Sequence, residues 1–255
     1  MKIEGKTAII SGGASGLGEA SARRLAGAGA NVLILDLNED RGQALATQLG
    51  SQAAFIKTDI CSSTDIGCAL DFVIDKFGRL DIVINCAGVS SGMKTASRKG
   101  PHDLDYFRKV ININLVGVFD VMRQAAFRML QNDLNDEGGR GIVVNTASIA
   151  AFERQIGQVA YTASKAALVG MTLPAARDLA GEGVRICTIA PGLFDTPMMA
   201  ALPEPVRVEL ARNVPFPQKL GDPDEFAMLA QQIIENPMLN GETIRLDGAI
   251  RMSPK

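Results

Sequence analysis

The 255-residue sequence predicts an α/β protein built on a doubly wound parallel sheet of about seven strands, with helices on both faces. Three observations predict it. Short β-type runs alternate with longer segments of helical periodicity almost from the first residue. Several of those runs (V-L-I-L, D-I-V-I, I-V-V) are nearly continuous in apolar residues, as strands covered on both faces require. A glycine-rich turn joins the first run to the first helical segment, the place where such sheets receive a phosphate-bearing ligand.

The strands expected in order are Thr7–Ile10, Asn31–Leu35, Ala53–Thr58, Leu80–Asn85, Gly141–Thr146, Arg185–Ala190 and Thr243–Leu246, each a short run rich in β-branched or other apolar residues. Helical periodicity fills the intervals near 16–28, 39–49, 63–77, 103–131, 158–180 and 222–235. Strand, helix, strand in succession is the pattern of right-handed crossovers in a parallel sheet. Pro174 falls inside the 158–180 segment, where it removes one hydrogen bond and is expected to bend the helix. Two stretches break the alternation: a polar, basic loop over 88–102, and a Pro-, Met- and Leu-rich stretch over 193–221 with a short helix near 204–212. Both follow strands, so both fall on the ligand edge of the sheet, the second as a substrate lid. No linker, composition shift or repeat divides the chain, and residues 1–255 are expected to form one catalytic domain.

Composition narrows the function. A hydrophobic fraction of 47% with 21% charged residues suits a globular core and excludes disorder, collagen-like repetition and coiled coil. The net charge of −2 gives no broad field for nucleic acid or an anionic membrane, so an anionic ligand must be held by local features. Four cysteines without a CxxC pair, and a single histidine, His102, assemble no Cys/His metal cluster, and none is expected. His102 lies in K-G-P-H-D with nothing that spells a His–carboxylate dyad, and no catalytic role is expected of it. Cys61, Cys68 and Cys187 are expected as small core fillers. The first residues resemble neither a signal nor a transit peptide, and no apolar run approaches the ~18 residues of a membrane span. A cytoplasmic, reducing compartment is the expectation.

The chemistry is carried by three separated groups. In S-G-G-A-S-G-L-G, Gly12, Gly16 and Gly18 permit a tight turn and close backbone approach to a pyrophosphate at the positive end of a helix. Their G-x3-G-x-G spacing differs from the commoner G-x-G-x-x-G, and a purely structural turn is the alternative. Asp36, at the end of the second strand, can accept both adenosine-ribose hydroxyls and would repel a 2′-phosphate; no Lys or Arg at 14, 15 or 37 counters it. NAD is therefore expected over NADP. Finally, Ser148 follows the fifth strand and Tyr161-x3-Lys165 puts a phenol and an ammonium on one helix face. An ammonium beside a phenol stabilises the phenolate, so Lys165 is expected to pull Tyr161 below its ordinary pKa and make it a general base.

These motifs, with N-C-A-G at 85–88, resemble the short-chain dehydrogenase/reductase superfamily from about Lys6 to the C-terminus. The resemblance implies a Rossmann-type fold with Tyr161 as acid/base and Ser148 orienting the substrate oxygen, the two together binding substrate. It implies that Lys165 binds the nicotinamide ribose and that Asn114, in I-N-I-N-L-V-G, anchors a proton-relay water. By position it further assigns Gly12, Ser15, Gly16, Leu17, Gly18, Asp36, Asp59, Ile60, Asn85, Cys86, Ala87, Gly88, Tyr161, Lys165, Pro191, Gly192, Phe194 and Thr196 to the NAD site. Ser11 stands where the superfamily usually has threonine, and Cys86 where it has asparagine; Cys86 reads as an apolar filler.

Longer strings, among them N-T-A-S-I-A-A-F-E, E-N-P-M-L-N-G-E and I-R-L-D-G-A-I-R-M, resemble the type II 3-hydroxyacyl-CoA dehydrogenase subfamily. The implied reaction is oxidation of a short or branched (S)-3-hydroxyacyl-CoA to the 3-oxoacyl-CoA. A hydroxysteroid or other bulky alcohol is the alternative substrate, and a non-catalytic NAD-binding scaffold the alternative role. The resemblance also implies a homotetramer. The sequence leaves acyl length and direction open, and it leaves Lys94, Arg98 and Lys99 as either a solvated loop or a contact for CoA phosphates.

Overall fold

Burial on both faces decides how this chain folds. In the computed structural model, which describes residues 1–90, 92–153 and 155–253, seven parallel strands form one sheet in the order β3-β2-β1-β4-β7-β8-β9. They are β1 Thr7–Ser11, β2 Asn31–Asp36, β3 Ala53–Lys57, β4 Ile82–Asn85, β7 Gly141–Thr146, β8 Val184–Pro191 and β9 Thr243–Leu246. Each expected strand is present within two residues, and Leu80–Asp81 lead into β4 rather than belonging to it. The order reverses between β1 and β4, which opens the crevice where ligands of doubly wound sheets sit.

Side-chain alternation along these strands feeds two cores. Ile10, Ile34, Ile84 and Val144 face α1 (Gly16–Gly27), α2 (Glu39–Leu49) and α9 (Pro223–Glu235). Ile9, Leu33, Val83 and Val143 face α3 (Ser63–Phe77), α5 (Val118–Met129) and α6 (Val159–Ala180). Every one of these eight strand residues is fully buried, and at ~25 cal/mol per Å² such side chains dominate the stability. Pro174 does lie inside α6, whose ladder loses that one donor.

The single helix expected over 103–131 is instead α4 (Leu104–Ile111), a π-helical turn at Asn112–Gly117, and α5. A side chain at Gly117 would lie 2.8 Å from the Ile60 carbonyl oxygen, so the glycine lets this wide turn press against the exit of β3. A π-turn inserted in an α-helix often marks a functional site, and here it carries buried Asn114. From Leu104 to Met129 the helix is long and apolar enough to span a bilayer by length and composition, although 44% of its most apolar window is buried inside the protein.

The two interrupting stretches have structure of their own. Residues 88–102 include a small hairpin, β5 (Ala96–Ser97) with β6 (Gly100–Pro101), that turns at Arg98-Lys99. Residues 193–221 carry α7 (Pro197–Ala200) and α8 (Glu204–Arg212), the latter where a short helix was expected. Cys187 is buried as expected, but Cys61 and Cys68 are exposed, which corrects their reading as core fillers. Cys68 falls off the stripe Ile66, Ala69, Leu70, Val73 that α3 buries, and Cys61 sits in the turn before that helix.

Candidate active site

The glycine turn lies at the switch in strand order and is folded onto itself. Gly12 has φ +66, and a Cβ there would come within 2.6 Å of the Ala87 nitrogen; a Cβ at Gly18 would meet the Gly12 carbonyl oxygen at 2.2 Å. Only hydrogen fits at either position. Ser15, in extended backbone ahead of α1, makes no capping bond, and Gly16 opens the helix at φ +54. Leu17 is half-buried against the core. Asp36 ties this turn to the end of β2: one carboxylate oxygen accepts from the Ala14 N–H at 3.1 Å, the other from the Asn38 N–H at 2.9 Å. Each oxygen keeps acceptor capacity toward the crevice.

The neighbouring strand exits complete a cradle. Asn85 is turned inward: its Oδ1 accepts from the Ser11 hydroxyl at 3.0 Å and its Nδ2 donates to Asn145 Oδ1 at 2.9 Å. This buried chain crosses β1, β4 and β7, so Asn85 offers the cradle its main chain rather than its side chain. Asn145 was not anticipated, though a lone amide in an otherwise apolar strand was the signal. The Thr146 hydroxyl donates to the Cys86 sulfur at 3.5 Å, and burial pushes that thiol up to about 11, in keeping with an inert filler. A Cβ at Gly88 would stand 3.2 Å from Asn114 Oδ1 and 3.5 Å from Lys165 Nζ. Asn114 accepts from the Val89 N–H at 2.8 Å, donates to the Val89 carbonyl at 2.9 Å and reaches the Ser164 hydroxyl at 3.2 Å. Its side chain thereby ties the 88–89 turn to α6.

The remaining residues assigned to the cradle lie at or just past the carboxyl ends of β3 and β8. Asp59 accepts from the Cys61 N–H at 2.9 Å, and Ile60 is buried under Gly117. The Gly192 N–H donates to Leu246 at 2.9 Å just past Pro191, and a Cβ at Gly192 would press on Asp247. Phe194 is buried over Gly221, which it meets in an isolated bridge. Thr196 caps α7, and its methyl group lies 3.3 Å from the place a Cβ on Gly16 would occupy. The segment over 193–221 therefore packs against the glycine turn near its start.

Ser148, Tyr161 and Lys165 converge on the same edge. The Ser148 hydroxyl accepts from the Ala150 N–H at 3.1 Å and is near enough to the Tyr161 phenol to favour its ionised form. Lys165 donates to the Thr146 carbonyl at 2.7 Å and lies 5.8 Å from the Tyr161 ring centre. Burial raises the phenol above its ordinary value, opposed by the nearby Ser148 hydroxyl. This corrects the expectation that Lys165 would depress it: desolvation outweighs the neighbour, and the same desolvation takes Lys165 down to about 8.

A cleft of this kind fits a dinucleotide, since the glycine turn packs tightly enough on β4 to present its main chain at the switch in strand order, and Asp36 stands beside it with free acceptor capacity. Comparison with known proteins agrees. A family model described as short chain dehydrogenase matches residues 6–207. The 3-hydroxyacyl-CoA dehydrogenase type-2 of Drosophila melanogaster is 55% identical over 99% of this chain and 100% of its own length. The crystal structure of 3-hydroxyacyl-CoA dehydrogenase type-2 from Mycobacterium avium superposes with a TM-score of 0.95 at 43% identity, covering 98% of each chain. The 3-ketoacyl-(acyl-carrier-protein) reductase from Brucella melitensis, solved with NADH, gives 0.87 at 26% identity over 98% of this chain and 100% of that one.

Proposed function

Because the chain belongs to the short-chain dehydrogenase family, a family of nicotinamide-dependent oxidoreductases acting on small molecules, we propose that it oxidises (S)-3-hydroxyacyl-CoA to 3-oxoacyl-CoA with NAD as acceptor. The observation that carries the acid/base part of this reading is the convergence of Ser148 and the Tyr161 phenol beside buried Lys165, whose ammonium lies 5.8 Å from the phenol ring centre. Bound nicotinamide supplies the hydride acceptor. Tyr161 takes the hydroxyl proton, Ser148 orients the substrate oxygen, and Lys165 and Asn114 hold the phenol and the 88–89 turn in register. Gly12, Gly16 and Gly18 let the turn fold tightly and bring its main chain to the pyrophosphate, with Ser15, Leu17, Asp59, Ile60, Asn85, Cys86, Ala87, Gly88, Pro191, Gly192, Phe194 and Thr196 around it. The acyl-CoA assignment rests on the names of relatives that match this chain from end to end.

NAD rather than NADP follows from Asp36. Asp36→Ala should weaken NAD by roughly 1–3 kcal/mol, the range for hydrogen bonds to a charged group, and narrow the gap to NADP. Titration with both cofactors checks this; an unmutated protein that prefers NADP would overturn it.

For CoA, the exposed hairpin tip at Arg98-Lys99, with Lys94 ahead of it, offers positive charge at the ligand edge. Exposed ion pairs are worth ~0.2–1 kcal/mol each, less at high salt. Replacing all three by alanine should raise KM for an acyl-CoA with kcat nearly unchanged, and should leave KM for an uncharged secondary alcohol in place. No effect on either substrate would return the loop to plain solvation.

A homotetramer is part of the proposal. Val116, Phe119 and Phe127 lie 47–59% exposed along one face of the long helix, and Leu173 is exposed on α6, an apolar surface suited to further copies. All four cysteines are free thiols, which suits a cytoplasmic setting. Initial rates with NAD across short and branched 3-hydroxyacyl-CoAs and a 17β-hydroxysteroid test the substrate assignment. A faster steroid would replace it.

A further inference from the structure

Outside the groups around Tyr161, a dense cluster of charged side chains stands at the end of β9. Arg245 donates from both terminal nitrogens to the two oxygens of Glu153, at 2.7 and 2.8 Å, and from Nε to Asp247 at 2.7 Å. Its guanidinium lies 5.1 Å from the Phe152 ring centre and also reaches the Ile250 carbonyl at 3.2 Å. Arg251 closes the network on Asp247 at 3.2 Å and on Glu153 at 3.5 Å. Arg245, Glu153 and Asp247 are 21%, 26% and 8% exposed at their side chains, so this is not a loose surface pair.

What the network holds is a segment of the active site. Glu153 is five residues from Ser148, and the turn between them is rigid: Ala151 N–H donates to the Ser148 carbonyl at 3.0 Å, and Phe152 and Glu153 both donate to the Ile149 carbonyl. Ile149, directly after Ser148, is buried with Val214 of the lid and Ile250 of the C-terminal segment in a small separate core. Arg245 joins two of these segments, the 149–153 turn through Glu153 and the C-terminal segment through Asp247 and the Ile250 carbonyl. Its other carboxylate, Asp247, lies against Gly192, the exit of β8. Bidentate guanidinium–carboxylate pairing fixes direction as well as distance, which a lysine does less well. Without Arg245, Glu153 and Asp247 would face one another with Arg251 alone between them.

We propose that Arg245 is a positioning residue for the reaction: by gripping Glu153 with both arms of its guanidinium, it sets the turn that aims the Ser148 hydroxyl at the Tyr161 phenol. This rests on the acid/base reading of Ser148 and Tyr161. It differs from a purely structural clamp in one respect. A clamp would affect stability; a positioning residue acts through Ser148, so its loss should be felt by the phenol. Lys165 on α6 and the Cys86 thiol at the exit of β4 are the other titratable groups on that side, and neither touches Arg245. Ser148 is the link between the network and the phenol.

The test compares the full-length wild type with Ser148→Ala, Arg245→Gln, Arg245→Lys and the Ser148→Ala/Arg245→Gln double variant. The readouts are kcat/KM for alcohol oxidation against pH, NAD affinity and thermal unfolding. Arg245→Gln should lower kcat/KM roughly tenfold and move its rising limb to higher pH, in the same direction as Ser148→Ala, with NAD affinity unchanged. Arg245→Lys should recover part of the loss. The double variant should be no worse than Ser148→Ala alone, because both changes remove one interaction. Glu153→Gln, which leaves Arg245 one acceptor oxygen and removes the charge and the second hydrogen bond, provides the same comparison if Arg245→Gln does not fold. Multiplying losses in the double variant, or a wild-type pH limb with only a lower Tm, would overturn the proposal. A Ser148→Ala protein with wild-type activity and pH profile would remove the underlying acid/base reading, and this inference with it.

Discussion

Tyr161→Phe should lower alcohol oxidation by at least ~10²-fold, the low end of what a positioned acid/base contributes, while cofactor binding stays near normal. The substitution deletes one oxygen from a ring that is otherwise kept, so packing in the first turns of α6 has little reason to change. What is lost is the phenol oxygen that stands near Ser148, on the ring whose centre lies 5.8 Å from the Lys165 ammonium. The pH dependence follows from burial. Because the phenol is held above its ordinary value, kcat/KM for oxidation should rise with pH on the alkaline side of neutrality, and Tyr161→Phe should abolish that rise. Stopped-flow or steady-state rates across pH check both parts. A variant with near-normal rates would take the tyrosine out of the mechanism.

Lys165→Met should also stop turnover, by a similar ~10²-fold or more, yet should not destabilise the protein at neutral pH. Burial brings the ammonium from its ordinary value of 10.5 down to about 8, so the folded state carries a charge it would rather lose. That difference corresponds to roughly 3 kcal/mol against the folded protein below pH 8. Methionine removes the charge but leaves the Thr146 carbonyl without its donor, which costs about 1–3 kcal/mol in return. The variant should therefore be as stable as the wild type at pH 7, or up to about 2 kcal/mol more stable.

The sign of the pH dependence separates this from accident. A depressed folded-state value means that the unfolded chain binds the proton more tightly, so wild-type stability gains from this residue as pH rises from about 8 to 10.5. Any advantage of Lys165→Met should shrink over that interval in denaturant titrations. An advantage that grows with pH would show that the lysine is not held against its preference.

Much of the architecture was legible because burial on two faces leaves an unmistakable trace. Strands such as V-L-I-L and I-V-V have no polar face to hide, and the glycines at 12 and 18 stand where a side chain would strike Ala87 or Gly12 itself. The i,i+4 spacing of Tyr161 and Lys165 placed them on one helix face before any coordinates. Other features were not legible for definite reasons. A π-turn at Asn112–Gly117 changes the hydrogen-bond register but not the apolar pattern, so 103–131 read as one helix. The direction of the Tyr161 shift depends on desolvation, which spacing does not report. Asn85 looked like a cofactor contact by position, and only the chain through Ser11 and Asn145 shows its side chain already committed. Arg245 and Glu153 are 92 positions apart, and no local pattern links them.

The most direct measurement follows one atom. Wild-type protein is mixed with NAD and (S)-3-hydroxybutyryl-CoA carrying deuterium at C3, and the products are read by mass spectrometry. The label should appear in the reduced nicotinamide, in step with 3-oxobutyryl-CoA, and Tyr161→Phe should leave it in the substrate over the same interval. Label retained in the hydroxyacyl-CoA by the wild type, while a hydroxysteroid in the same assay is oxidised, would contradict the proposed reaction.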